Sequence, residues 1–300
     1  MQIDISVVIP IFGTTHIERL FAVIDSLLLQ RNISLEVIVS EQTVSSGIPL
    51  KKRFPNVVHI LSRPDIESGN EVYNAGVARN LGMKHAKGKY IYFNDADILF
   101  FDPTYLHRLF QEIQPAEILI RPSMWRMMKE EVPRFLNIYE SQGLKAAVSS
   151  IVYKRNYLAS FSDSVIQLEL IEFNERVFSV TPQQLEEYRT NPLLRGQEDL
   201  LWQRLVHCGG TFGAKKDIES IGGYAICYPI CMYEDSDLQW KLREKFKVRE
   251  IHKDDTYGVL HLDHELHYRS PSQESFNKDI FEKRISGKVA LAIQNDLSRF

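Results

Sequence analysis

From Ile3 to about Arg121 the chain alternates short β-rich apolar runs with segments whose apolar residues recur every three or four positions. That alternation predicts βαβ units around a mostly parallel sheet, an α/β fold. "DISVVIPI" reads as the first strand, because Val7, Val8 and Ile9 are unbroken apolar residues suited to burial on both faces, and Pro10 is expected to end it. "THIERLFAVIDSLLLQ" carries Ile17, Leu20, Phe21, Ile24, Leu27 and Leu28 on one helical face. "SLEVIVSEQ" and "NVVHIL" are the second and third strands, "NEVYNAGVARNLGMKHAK" a helix, "KYIYFN" the fourth strand, and "EILIRP" a further strand after a helix near Pro103 to Ile113.

Between Ser123 and roughly Asn191 the periodicity fades. A helix is expected around Glu198 to Val206, another in "YEDSDLQWKLREKF", and a strand in "KVREIH". The final "DIFEKRISGKVALAIQNDLSRF" reads as one amphipathic helix packed on the chain's own core, with docking on a membrane surface or a second protein as the alternative. The expected division is 1–122, a ligand-binding half; 123–194, an insertion related to the acceptor; 195–270, a catalytic half; and 271–300, a helical tail.

Composition narrows the function. A net charge of −3 over 300 residues supplies no basic field for a phosphate backbone, which argues against nucleic acid as a partner. Cys208, Cys227 and Cys231 are odd in number and form no C-x-x-C pair, so neither a disulfide framework nor a structural zinc site is predicted. The opening "MQIDISVVIPIF" lacks a basic leader, and its apolar run is far shorter than the ~20 residues of a membrane span. The expected location is the cytoplasm.

The chemistry concentrates at "GKYIYFNDADILF". Parallel sheets bind ligands at the carboxyl ends of their strands, where Asp95 and Asp97 follow the fourth strand. Two like charges there are tolerable if a divalent cation, Mn2+ or Mg2+, lies between them and a phosphate. The structural alternative is a helix cap and a solvated carboxylate.

The arrangement "GVARNLGMKHAKGKYIYFNDAD" resembles the nucleotide-sugar-binding half of GT-A glycosyltransferases, particularly family 2, whose members carry an Arg-Asn-x-Gly helix, a glycine turn, an apolar strand and Asp-x-Asp. "SVVIPIF" is similar to the family's first strand. "FGAKKDIESIGGY" followed by "YEDSDLQWKL" looks like its Gly-Gly-aromatic segment and Glu-Asp helix start, the latter in the style of the β-galactosyltransferases. These blocks lie in family order over residues 3–121 and 209–264.

The resemblance implies a Rossmann-like GT-A fold and a set of roles. Pro10, Ile11 and Phe12 would lie beside uracil and ribose, Glu41 after the second strand would meet the base, and Arg63 would extend that wall. Arg79 and Asn80 would approach the diphosphate or sugar. Asp97 would ligate the metal, Asp95 would reach ribose or metal through water, and Ala96 lies between them. Asp235 would be the general base, with Glu234 holding hydroxyls; both would also suit a helix N-terminus.

"GQEDLLWQRL" imitates the Glu-Asp segment, but Glu198 and Asp199 precede the Gly-Gly-aromatic segment and are assigned to capping or acceptor contact. His261, His264 and His267 recur every three residues. The fold places a metal-binding histidine near the C-terminus, and His261 is preferred because it closes the Val259-Leu260 pair, with His264 as the alternative.

The implied activity is metal-dependent transfer of a hexose or N-acetylhexosamine from a UDP-sugar to a hydroxyl, most simply of a saccharide, with inversion. A binding module without turnover is the alternative. A sugar nucleotidyltransferase fits less well, because the first strand is followed by the single Gly13 and not by a glycine-rich loop. For the acceptor, Arg121, Trp125 and Arg126 are candidates.

Overall fold

The computed structural model describes residues 2–67, 70–127, 131–150, 159–161, 166–168, 178–180, 207–229, 232–251, 258–264 and 271–300. The expected helix at 198–206, with Glu198 and Asp199, lies outside these residues, as do Cys231 and His267. In chain order the first half runs β1 (Ile5–Phe12), α1 (Ile17–Leu28), β2 (Leu35–Gln42), α2 (Leu50–Arg53), β3 (Val58–Ser62), β4 (Asp65–Glu67), β5 (Asn70–Val72) and α3 (Ala75–His85). It continues with β6 (Tyr90–Phe93), β7 (Ile98–Leu99), α4 (Tyr105–Glu112), β8 (Glu117–Ile120), β9 (Ser123–Met127), α5 (Val132–Gln142) and α6 (Leu144–Ser149). Short strands β10 (Ala159–Phe161), β11 (Ile166–Leu168) and β12 (Phe178–Val180) pair with one another. The second half holds β13 (Thr211–Ala214), α7 (Lys215–Ser220), α8 (Glu234–Lys245), β14 (Lys247–Glu250), β15 (Gly258–Leu262), α9 (Pro271–Ile285) and α10 (Val289–Arg299).

Seven strands form the main sheet in the order β14-β8-β13-β6-β1-β2-β3. All pairings are parallel except those of β13, which runs antiparallel between β6 and β8. The pleat sends alternate residues to opposite layers. Ile5, Val7, Ile9 and Ile11 of β1 face a core with α1, α4, α5 and α6. Val8, Ile38, Ile91 and Phe93 face a second core with Met83 of α3, Leu238 and Leu242 of α8 and Ile293 of α10. Each such fully buried aliphatic contributes about 1.5–3 kcal/mol, which is why unbroken apolar runs mark the central strands.

Three expectations are corrected. Pro10 does not end β1, which continues to Phe12. The Val8 carbonyl accepts from Asn94 N, so Pro10, two residues on, turns its nitrogen toward the β6 side, where the ladder has already stopped at Phe93 and no bond is lost. The helix expected from Asn70 starts at Ala75, because the Asn74 side chain caps it by accepting from Val77 N at 3.1 Å, while Asn70–Val72 is strand. The tail is two helices, α9 and α10, separated at Ser286–Lys288, where Lys288 takes an extended conformation. Met124, Met127, Val132, Phe135, Leu136, Tyr139, Leu144 and Ala147 pack in the core of β1 and α1.

β15 is the piece that shapes the site. It pairs parallel with β9 and antiparallel with β7, placing His261 opposite Ile98, and Leu262 N donates to the Asp97 carbonyl at 2.9 Å. No helix among the described residues is long and apolar enough to cross a membrane.

Candidate active site

The two aspartates after β6 part company. Asp97 turns to β15 and the residues after it: its Oδ2 lies 2.9 Å from His264 Nε2 and 3.4 Å from His261 Nε2. Burial would raise the Asp97 carboxyl, but His261 and His264 hold it well below the ordinary carboxylate range. One ligand atom from each of the three side chains falls within 4.8 Å of the others. The structure therefore unites both histidine candidates at one point. His16 adds a wall: it adopts a left-handed conformation before α1, and its ring stacks on His264 with centroids 3.9 Å apart. Burial and then the neighbouring His264 push its pKa down to about 4.

Asp95 turns the other way, to a buried arginine. Arg79, on α3 and 3% exposed, donates from Nη2 to Asp95 Oδ1 at 2.6 Å. Its Nη1 lies 3.2 Å from Glu234 Oε1 and 3.6 Å from Asp235 Oδ1, and its guanidinium sits 4.9 Å above the Tyr224 ring. His207 Nε2 approaches Asp95 Oδ2 at 3.0 Å. Burial alone would raise Asp95, yet Arg79 and His207 hold it down at about 2. The repulsion between Asp95 and Asp97 is thus relieved by separate basic partners, so the expected convergence of both carboxylates on one cation is not the arrangement found. Arg79 is correspondingly committed to three carboxylates.

Asp235 differs from its neighbours. Burial raises its carboxyl to about 7, with Glu234 and Asp95 adding repulsion that Arg79 only partly offsets. Its Oδ1 and the Tyr224 hydroxyl are buried and have no hydrogen-bond partner among the described residues. Glu234 is engaged on both sides, since its Oε2 accepts from Met232 N at 2.6 Å. Both sit in the first turn of α8 with Asp237, where the helix dipole favours negative charge.

Asn80 is buried and turned to the backbone after the Gly222-Gly223 turn. Its amide clasps the backbone of Tyr224, donating to the carbonyl and accepting from the N–H, each at 2.8 Å. Glu41 lies within β2, not after it; its fully buried carboxylate accepts from Ser46 Oγ at 2.6 Å and meets His59 Nε2 at 2.7 Å. Pro10, Ile11 and Phe12 form the adjoining edge of β1, with Phe12 against Tyr73 at 5.5 Å between centroids. Ala96 packs on the core, and Arg63 stands exposed just beyond β3. Arg121 is 3.5 Å from Glu250; Trp125 and Arg126 are placed here only as members of β9.

Comparison with known proteins bears on this geometry. The model of the family described as glycosyl transferase family 2 matches residues 6–121, which span β1 to the end of β8 and include Asp95 and Asp97. That segment of the chain is similar to glycosyl transferase family 2. The strands inside the matched segment form most of the main sheet. Among solved structures, S. aureus TarS 1–349 in complex with UDP is 14% identical, with 99% of this chain and 70% of that chain covered and a TM-score of 0.50. The complex of TarS 1–349 with UDP-GlcNAc gives 14% identity, coverage of 99% and 71%, and a TM-score of 0.51. A longer S. aureus TarS structure gives 14% identity, coverage of 98% and 43%, and 0.52. Likeness at this identity shows a shared fold. No curated protein matches the sequence.

Sequence reading missed His207, His16 and Tyr224 as neighbours of these carboxylates and of Arg79. His16 gave no signal beyond its place after β1. His207 precedes Cys208-Gly209-Gly210, and a Cβ on Gly209 would lie 2.9 Å from Asp95 Oδ2 and 3.2 Å from Arg79 Nη2. That glycine pair was the legible hint of a close approach.

Proposed function

We propose that the protein is a glycosyltransferase that moves a hexose or N-acetylhexosamine from a UDP-sugar to a hydroxyl of a saccharide acceptor, with inversion at the anomeric carbon. The observation that carries the reading is Asp235: a half-buried carboxylate whose Oδ1 has no hydrogen-bond partner and lies 3.6 Å from Arg79, with a pKa near 7, is matched to taking a proton at neutral pH. The TarS complexes with UDP and UDP-GlcNAc support the donor class.

In the proposed step the acceptor hydroxyl oxygen attacks the anomeric carbon while its proton passes to an Asp235 oxygen. The bond from the anomeric carbon to the diphosphate oxygen breaks, and its electron pair leaves with UDP. Asp235 then yields the proton to solvent. Arg79 keeps Asp235, Glu234 and Asp95 in fixed relation, and the Tyr224 hydroxyl stands beside them as a further donor. The rim of β1 and β2, from Pro10 to Phe12 and at Glu41, is where uracil and ribose would lie.

Asp97, His261 and His264 fit a divalent ion. One carboxylate oxygen and two imidazole nitrogens within 4.8 Å of one another suit a first-row transition-metal dication better than Mg2+, and Mn2+, which shares the preference of Mg2+ for phosphate oxygens, is the ion to test first. Such an ion would offset charge on the leaving diphosphate. The test is product formation from UDP-hexoses and UDP-N-acetylhexosamines with Mn2+, with the anomeric configuration read by NMR. Full activity in the combined Asp97→Ala and Asp235→Asn variant would overturn the reading.

A further inference from the structure

Behind the carboxylates lies a second charged cluster, which the chemistry above does not use. Lys241, on α8 two turns after Asp235, is fully buried. Its ammonium donates to the Gly223 carbonyl at 2.7 Å, to the Ile221 carbonyl at 3.3 Å and to Asp296 Oδ2 at 2.5 Å, so all three of its donors are used. Asp296 belongs to α10. Arg284 of α9 joins it through Nη2 at 2.7 Å and also grips Asp237 of α8, which in turn accepts from the Tyr228 hydroxyl at 2.9 Å.

The placement of this cluster is specific. Gly222 and Gly223 form a turn with φ of +74° and +58°, and the next residue is Tyr224, whose ring supports the Arg79 guanidinium. Arg79 holds Glu234 and Asp235 at the start of α8. Lys241, further down the same helix, holds the turn that carries Tyr224. The helix and the turn therefore bracket each other at two points, and the C-terminal helices supply the carboxylate that anchors the second.

Burying two cations and two carboxylates is a poor way to gain stability, because desolvation cancels most of their attraction. What a fully satisfied network does provide is one geometry.

We infer that Lys241, anchored by Asp296 of the C-terminal helix pair, is a positioning residue for Asp235, so that α9 and α10 are part of the active-site scaffold. The inference rests on Asp235 being the base. The network withstands substitution only where charge and hydrogen bonds are both kept, and its loss leaves the nucleotide rim on β1 and β2 untouched.

The experiment compares Lys241→Met and Asp296→Asn with Tyr139→Phe, a control that removes a hydroxyl joining Asp25 and Arg53 in the opposite core layer. Turnover of UDP-hexoses and UDP-N-acetylhexosamines with Mn2+ gives kcat and KM, and hydrogen exchange reports on residues 218–228. Expected are a roughly ten- to hundredfold fall in kcat with donor KM within about twofold of the parent, and faster exchange in 218–228, in both network variants but not in the control.

Unchanged kcat in a folded network variant overturns the inference, as does a fall matched by the control. If Lys241→Met does not fold, Asp296→Asn decides alone. If the parent protein turns over no UDP-sugar, the functional reading fails by itself, and exchange in 218–228 then decides whether Lys241 and Asp296 hold the turn: unchanged protection in the variants overturns it.

Discussion

Asn80 and Tyr224 lie 144 residues apart and are joined by a reciprocal pair of 2.8 Å hydrogen bonds, side-chain amide to backbone. This clasp, together with the Lys241 bonds to the preceding turn, holds the Tyr224 ring under Arg79, and so connects α3 to the turn ahead of the helix that bears Asp235.

Asn80→Ala leaves the Tyr224 N–H and carbonyl buried without partners, at about 1–3 kcal/mol for each orphaned group. The expected result is a clear fall in Tm with a fall in kcat larger than the change in donor KM. Calorimetry alongside steady-state kinetics checks it, and an unchanged Tm would show the clasp to be dispensable.

Gly223→Ala tests the same turn from its other side. Its φ of +58° is unfavourable for any side chain, and the added Cβ would stand 2.4 Å from Asn80 Oδ1. A loss of roughly 1–3 kcal/mol is expected from the backbone conformation alone. Chemical denaturation measures it; a variant as stable as the parent would mean that the turn relaxes freely.

Activity depends on pH through Asp235. Its carboxyl titrates near 7 in the folded protein, against about 3.9 for an ordinary aspartate. As a base it works only when ionised, so kcat rises with pH through an apparent pKa near 7, and Asp235→Asn abolishes the rise together with the activity. Stability moves oppositely. The raised folded pKa makes the group's contribution full below the ordinary carboxylate range and lost as pH climbs through about 7. Asp235→Asn therefore raises Tm at pH 8 and leaves it nearly unchanged at pH 4, a contrast that thermal melts at the two pH values read directly.

Metal binding has its own signature. Mn2+ at a hundredfold excess over Kd adds about 2.7 kcal/mol to stability, a rise of several degrees in Tm for a chain of this size. EDTA should reverse the rise, and His264→Ala or Asp97→Ala should remove it while leaving UDP binding measurable. An identical Mn2+ response in those variants would place the ion elsewhere.

The central strands and the first helices were legible because unbroken apolar runs and three-to-four spacing report burial directly, and β1, β2, β6 and β8 lie where Val7–Ile9, Val37–Val39, Ile91–Phe93 and Ile118–Ile120 said they would. Less legible was β13, whose "TFGA" has little strand propensity and owes its conformation to the slot between β6 and β8. Asp95 and Asp97 stood out as chemical candidates from their place after an apolar strand, whereas Glu234 and Asp235 were singled out by the family resemblance.

Their partners were not. Local sequence can state that a strand ends in two carboxylates or that a helix begins with two more, since those are properties of a few neighbouring residues. Which cation meets which carboxylate depends on tertiary contacts, 16 residues apart for Arg79 and Asp95, 112 for His207 and Asp95, and 167 for His264 and Asp97. Only the packed sheet could decide that Asp97 goes to the histidines of β15 and its end, that Asp95 goes to Arg79, and that Asp235 keeps an oxygen near Arg79 with no hydrogen bond to it, because each outcome is fixed by burial and by the nearest opposite charge.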